Sequence, residues 1–218
     1  MGRPADPDLR DRLIAAATVE FAESGYAGAT LDAIAARASV TKGGVYFHFA
    51  GKEELFFAVL DHWRDRRRRV LPAPAGSGGA ARALRTFVAG YLAFHFREPA
   101  ATHLLRVLAT ELRGRFTSRL REDHRQEHRW LRASIRELFV LGLRDGTLTV
   151  EDPASSAFVL ASGVVGALEQ WHTASADVEA LCHDERLAAA LVAPFTTGGD
   201  AARPPRRGDP GFDDLPRA

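Results

Sequence analysis

The stretch 30–49, TLDAIAARASVTKGGVYFHF, constrains this chain more than any other. Leu31, Ile34, Ala35 and Ala38 follow the i, i+3, i+4, i+7 spacing of one short helix. Ser39, Val40 and Thr41 interrupt that pattern, and a second short segment begins at Lys42. Thr30 and Thr41 stand where a hydroxyl oxygen can accept an N–H that a helix start leaves without a partner. Two short helices joined by a tight turn form a helix-turn-helix, whose second helix is the one presented to a DNA major groove. Gly43 and Gly44 expose bare backbone on that helix, although each costs about 1 kcal/mol relative to alanine. Tyr46 and His48 add an O–H and an N–H, and Lys42 and Lys52 bracket the segment. These groups suit contact with phosphates.

The wider region, DRLIAAATVEFAESGYAGAT, ASVTKGGVYFHF and GKEELFFAVLDHW, spans roughly residues 9–63 and resembles the DNA-binding head of the TetR (tetracycline repressor) family of bacterial regulators. The resemblance implies an all-α homodimer with a three-helix N-terminal head and a larger helical body for ligand binding and dimerisation. Ser39 departs from the family, which usually places glycine at this turn, so a serine must adopt or avoid a left-handed backbone there.

Composition agrees with a DNA-binding protein only through its distribution. The net charge is +1, and of 29 cations only two are lysines, Lys42 and Lys52, both flanking the expected recognition helix. No apolar run approaches the ~20 residues of a membrane helix, so no membrane partner is expected. One cysteine, Cys182, excludes an intrachain disulfide and fits a reducing cytoplasm. It reads as a small buried apolar residue.

Along the chain, residues 1–7 read as a flexible arm carrying Arg3, and 8–51 as the head, with Gly25 ending its first helix. Residues 52–70 read as a connecting helix with Leu55, Phe56, Val59, Leu60 and Trp63 inward, and expected to be the sole lever from head to body. Its last turn holds the run Arg66 to Arg69, which complements the helix dipole and is expected away from DNA. Residues 71–79, LPAPAGSGG, read as a linker. A body of helices fills 80–195, giving about nine in all: 80–97, 99–113, a long one over 115–144 ended by Asp145-Gly146, one opened by Asp152-Pro153, and one over 177–195. Thr147 to Val150 is at most a short extended link. The tail, 196–218, has the composition of disorder.

In the head, Thr30, Thr41, Tyr46, His48 and Lys52 are expected at phosphates, and Lys42, the backbone of Gly43 and Gly44, and Arg37 at bases. Val45 and Phe49 should turn into the core. One helix-turn-helix reads too few base pairs, so a dimer on an inverted-repeat operator in double-stranded DNA is expected. Ser162, Gly163, Gly166 and Ala167 would let a partner helix approach closely. Asp123, His124 and Glu127 interrupt the apolar stripe of the long helix, suggesting polar anchors in a pocket lined by Phe87, Tyr91, Phe94, Leu104, Leu108, Trp130 and Trp171. The arginines 121, 125, 129, 132 and 136 read as a solvated face. An anionic or acyl-type effector, such as a coenzyme A thioester held by one or two of them, is the alternative. The rival reading is a metal site or metallohydrolase, from His124-Arg-Gln-Glu127-His128 and its H-x-x-E-H spacing. The arginines around it oppose a dication. A third reading is an effector-free DNA-organising protein, against which stands the size of the body. The chain therefore reads as a ligand-responsive regulator, in the expected mode a repressor, with no enzyme activity, cofactor or metal assigned.

Overall fold

The computed structural model describes residues 8–71, 79–110, 118–171 and 185–197. Arg3, most of the linker, Cys182 and the tail beyond Thr197 lie outside the described residues, as do the side chains of Leu108, Asp123 and His124. The described residues form nine α-helices: α1 (Leu9–Gly28), α2 (Leu31–Arg37), α3 (Lys42–His48), α4 (Lys52–Val70), α5 (Ala80–Arg97), α6 (Pro99–Thr110), α7 (Ser118–Asp145), α8 (Pro153–Trp171) and α9 (Glu185–Val192). The fold is all-α, and none of these helices is long and apolar enough to cross a membrane.

Local chemistry sets the helix ends. Gly25 takes φ 67° and kinks α1, which resumes for one short turn to Gly28. The Thr30 oxygen accepts the Ala33 N–H (3.1 Å), and that of Thr41 accepts the Gly44 N–H (3.3 Å). Asp152 caps α8 through the N–H groups of Ala154 (3.2 Å) and Ser155 (2.8 Å), with Pro153 at the first position. Gly146, at φ 74°, follows the end of α7. The extended link beyond it pairs with residues read as the start of the tail: Thr149 N–H donates to Phe195 O (2.8 Å) and Thr197 N–H to Thr147 O (3.2 Å). Asp145 and Thr147 also accept the first two N–H groups of α5, at 2.7 and 3.1 Å. The Thr147 hydroxyl, the Ala80 N–H and the Thr147 N–H, all donating to Asp145, hold its carboxyl below its ordinary pKa.

The turn between α2 and α3 resolves the question posed by Ser39. Its φ is +58°, the one positive value at a non-glycine among the described residues. Ser39 N–H donates to Ala36 O (3.1 Å) and Val40 N–H to Ala35 O (2.9 Å), the paired bonds of a Schellman motif. A left-handed non-glycine costs about 1–2 kcal/mol, and glycine returns part of that as unfolded-chain entropy, about 0.4–1 kcal/mol. Ser39→Gly should therefore raise the unfolding free energy by up to about 1 kcal/mol, and Ser39→Val lower it by about 1–2 kcal/mol. Denaturant titration checks both signs.

Two cores organise the packing. The first joins Leu13, Ala17, Phe21, Tyr26, Ile34, Val45, Phe49, Phe56 and Leu60 of α1 to α4 with Leu104 and Val107 of α6. The second lies in the body, among Leu84, Phe87, Tyr91, Leu131, Ile135, Leu138, Phe139, Leu160 and Val164. Thus α4 is not the sole connection between head and body. Helix α6 inserts two apolar side chains into the head, because α5 and α6 turn sharply at Glu98-Pro99. Thr102 secures that corner, its hydroxyl donating to His95 O (2.8 Å) while its oxygen meets His95 Nδ1 (3.0 Å).

Candidate nucleic-acid interface

Helix α3 buries Val45 and Phe49, as their i, i+4 spacing requires, and turns its other side to solvent. Lys42 and Gly43 are exposed, Tyr46 is 50% exposed and Phe47 74%. A Cβ added at Gly43 would come no nearer than 3.7 Å to another atom, and at Gly44 no nearer than 3.5 Å. Nothing inside the chain requires either glycine, so their use lies in what approaches from outside. Thr30 and Thr41 accept N–H groups as caps, which leaves each hydroxyl hydrogen available as a donor. Lys42 Nζ sits 2.8 Å from Asp32, an exposed pair that raises the lysine pKa and that an incoming phosphate or base can exchange. His48 lies 5.1 Å from the Phe47 ring, at the mouth of a cavity of about 830 Å³ between α1 and α4. That cavity mixes Arg10, Arg66 and Arg69 with Asp11, Glu54, Asp61 and Asp65, a poor surface for a polyanion.

Two expected contacts have other occupations. Arg37 is exposed but engaged: its NH2 lies 2.6 Å from Glu23 and 3.4 Å from Glu20, tying α2 to α1. Lys52 Nζ donates to Tyr26 O (2.8 Å), Ala29 O (2.9 Å) and Ala27 O (3.4 Å) and stands 4.7 Å over the Tyr26 ring. It clasps the end of α1, and partial burial lowers its pKa. Phe47 is the residue that the sequence reading passed over. The signal was present: with Val45 and Phe49 inward, helical spacing leaves position 47 on the outer side.

In the body, the expected pocket residues divide. Tyr91, Phe87 and Trp130 come together, with ring centroids 6.3 Å apart for Tyr91–Trp130 and 5.9 Å for Phe87–Trp130. Phe94 turns to Trp63 (6.2 Å), Trp171 to Phe96 (5.2 Å), and Leu104 joins the head core. Glu127 is buried, and its partner is Arg67 of α4, 3% exposed, with NH1 2.5 Å from Oε1. Arg64 Nε lies 3.5 Å from the other oxygen. The Arg67 guanidinium lies over both rings of the stacked pair, 4.5 Å from the Trp130 centroid and 5.3 Å from that of Tyr91. Burial and the Glu127 charge raise the Tyr91 pKa strongly, against the opposing effect of Arg67.

Glu127 thus faces two guanidinium groups, whereas the metallohydrolase alternative needs it as a general base beside a dication. His128 is pushed below its ordinary pKa by burial and by Arg132, against the opposing pull of Glu127. Among the described residues no three His, Cys, Asp or Glu side chains group as a metal site. Arg125 and Arg129 pair with Glu122 on the solvent side of α7, as a solvated face should. On α8, Phe158 and Val159 are 59% and 61% exposed beside exposed Ser162, and a Cβ at Gly166 would meet nothing within 4 Å. Gly163 instead faces α9 of its own chain, where an added Cβ would come 3.1 Å from Leu191, and Ala167 packs against the body core.

Residues 13–59 match the family described as bacterial regulatory proteins, tetR family. The chain is 31% identical to the HTH-type transcriptional repressor SCO4008 of Streptomyces coelicolor over 71% of its own length and 76% of that protein. It is 51% identical to the HTH-type transcriptional regulator SrpR of Pseudomonas putida over 24% of its own length, spanning a quarter of that relative (25%). Among solved structures, a TetR transcriptional regulator from Chloroflexus aurantiacus superposes with a TM-score of 0.71 at 25% identity, over 87% of this chain and 96% of that one.

Proposed function

The chain belongs to the tetR family of bacterial regulatory proteins and is a transcriptional regulator, and we propose that it acts as a dimeric, ligand-responsive repressor on an inverted-repeat operator. The exposed face of α3 carries this reading: two glycines with no internal reason, a lysine in an exchangeable pair, and Tyr46 and Phe47 held outward by a buried Val45 and Phe49. Lys42 and the bare backbone at Gly43 and Gly44 read base edges. Thr30, Thr41, Tyr46 and His48 position the head at phosphates. Phe47 adds apolar contact of the kind a thymine methyl accepts. Lys52 supports the site by fixing the junction of α1, α2 and α4. The partner subunit docks on the α8 face around Phe158, Val159, Ser162 and Gly166. A ligand in the body then changes the spacing of the heads through α4 and α6, with coupling of about 1–3 kcal/mol.

The test is binding of the purified full chain to the DNA upstream of its own gene, against unrelated DNA, across a salt series. Lys42→Ala should relax discrimination at one position per half-site by about 1–3 kcal/mol. Tyr46→Phe should weaken all operator variants alike, by about 1 kcal/mol per protomer for a lost hydrogen bond. Unaltered base preference in Lys42→Ala would remove that lysine from the reading surface. Absence of sequence-specific binding at low salt would overturn the function itself.

A further inference from the structure

Arg67 offers its NH1 to Glu127, and that contact is ionic, with no N–H aligned on Oε1. Its other two nitrogens, Nε and NH2, are buried and donate to no acceptor among the described residues. Those two lie on one edge of the guanidinium, the side-on edge whose parallel N–H bonds match the two oxygens of a carboxylate. A donor pair buried without an acceptor is unfavourable, and the cation–π contacts with Trp130 and Tyr91 compensate part of the charge without supplying an acceptor. A cavity of about 20 Å³ adjoins the Arg67 side chain, lined also by Arg64, His95 and Glu127 and by apolar side chains that include Trp63, Phe94 and Leu104. It has room for one water.

We propose that this edge of Arg67 anchors the effector, and that the effector is an organic acid bound through its carboxylate. The inference rests on the ligand-responsive reading above and deepens it. A carboxylate places both oxygens on the two donors and leaves its chain among apolar side chains. A phosphate ester in the same place would bring a second negative charge beside the Glu127 carboxylate that also lines the cavity. The cavity is smaller than a carboxylate with its chain, so entry must part α4 from α5 and α6. Arg67 stands on α4, which leads directly from the head, so the anchor and the lever are one helix. The position also differs from the anion site expected on α7, whose described arginines 125 and 129 pair with Glu122 at the surface.

Thermal unfolding of the full chain in acetate, octanoate, phosphate or chloride at equal ionic strength tests this, with octanamide as the uncharged copy of octanoate and Arg67→Lys beside the wild type. Both carboxylates should raise the melting temperature above chloride, octanoate the more strongly, and octanamide should not. Arg67→Lys keeps the charge but loses the paired edge, and should bind octanoate at least about ten-fold more weakly, the loss of one charge-assisted hydrogen bond. If that variant fails to fold, the wild-type Arg67 Nε–H resonance supplies the readout. Identified as the arginine Nε–H slowest to exchange with solvent, it should move downfield with acetate. Octanoate and octanamide acting alike, stabilisation by phosphate alone, or no shift with acetate overturns the proposal. Operator binding in the same preparation separates the failures: specific binding that no carboxylate alters sinks the anchor and leaves the regulator, whereas no specific binding sinks the regulator.

Discussion

Glu127→Ala lowers the unfolding free energy by about 3–5 kcal/mol, because it leaves a buried guanidinium without its counter-charge. Arg67 is 3% exposed and Glu127 6%, so water cannot replace the lost carboxylate. The Trp130 and Tyr91 rings beneath the guanidinium offset part of the loss, since a desolvated cation–π contact contributes up to about 2 kcal/mol. Those contacts exist in the wild type as well, so they limit the damage without removing it. At about 2–4 °C per kcal/mol for a chain of this size, the melting temperature should fall by roughly 10 °C. The double variant Arg67→Met with Glu127→Leu should recover most of that, as apolar replacements of buried ion pairs commonly do. Calorimetry of the three variants closes the cycle. A loss below about 1 kcal/mol in Glu127→Ala would mean that the pair is solvated in solution, and would remove it as the link between α4 and α7.

The same pair shows where sequence reading succeeds and where it stops. Interactions within one turn were legible: Thr30 and Thr41 as caps, Asp152-Pro153 opening α8, Gly146 ending α7, Val45 and Phe49 inward. Each follows from residue type and helical spacing alone. The destinations of long cationic side chains were not legible, since they depend on which acids or carbonyls the tertiary fold delivers. Arg37 meets Glu20 and Glu23 on α1, and Lys52 meets carbonyls 23 to 26 residues earlier. Arg67 could have been suspected, because it continues the stripe Leu60, Trp63 and Arg64 at helical spacing. Read as part of a run of four cations, it is assigned only to the helix dipole. Leu104 and Val107 were legible as apolar and illegible as to which core they join, because that depends on the corner at Glu98-Pro99. The outward side of α3 follows from spacing within one short helix, whereas the surroundings of the expected pocket residues depend on which core each helix joins.

Phe56→Ala should abolish operator binding while leaving the body helical. Phe56 is fully buried and stands edge-on to both Phe21 (4.9 Å, 83°) and Tyr26 (5.1 Å, 79°), which stack on each other at 5.8 Å. Truncation of such a ring costs about 3–5 kcal/mol, and the lost edge-to-face pairs belong to the upper part of that range, at about 0.5–1.5 kcal/mol each. The core that holds Phe56 joins α1 to α4 with Leu104 and Val107 of α6 and is separate from that of the body, so the loss falls first on those elements. Its consequences spread through Tyr26, whose carbonyl holds Lys52 and whose ring underlies it. Loosening Tyr26 releases the clasp between α1 and α4, and with it the placement of α2 and α3. The body core contains none of these residues and has its own aromatic contacts, such as Phe139 with Phe195 at 5.0 Å. Hydrogen exchange should show early opening confined to α1 through α3 and the first turns of α4, with protection retained in α5, α7 and α8. Leu104 and Val107 of α6 would lose their cover, so α6 should be the first body helix to exchange faster. Uniform loss of protection across both cores would show that head and body unfold as one unit, in which case α6 couples them more tightly than α4 does.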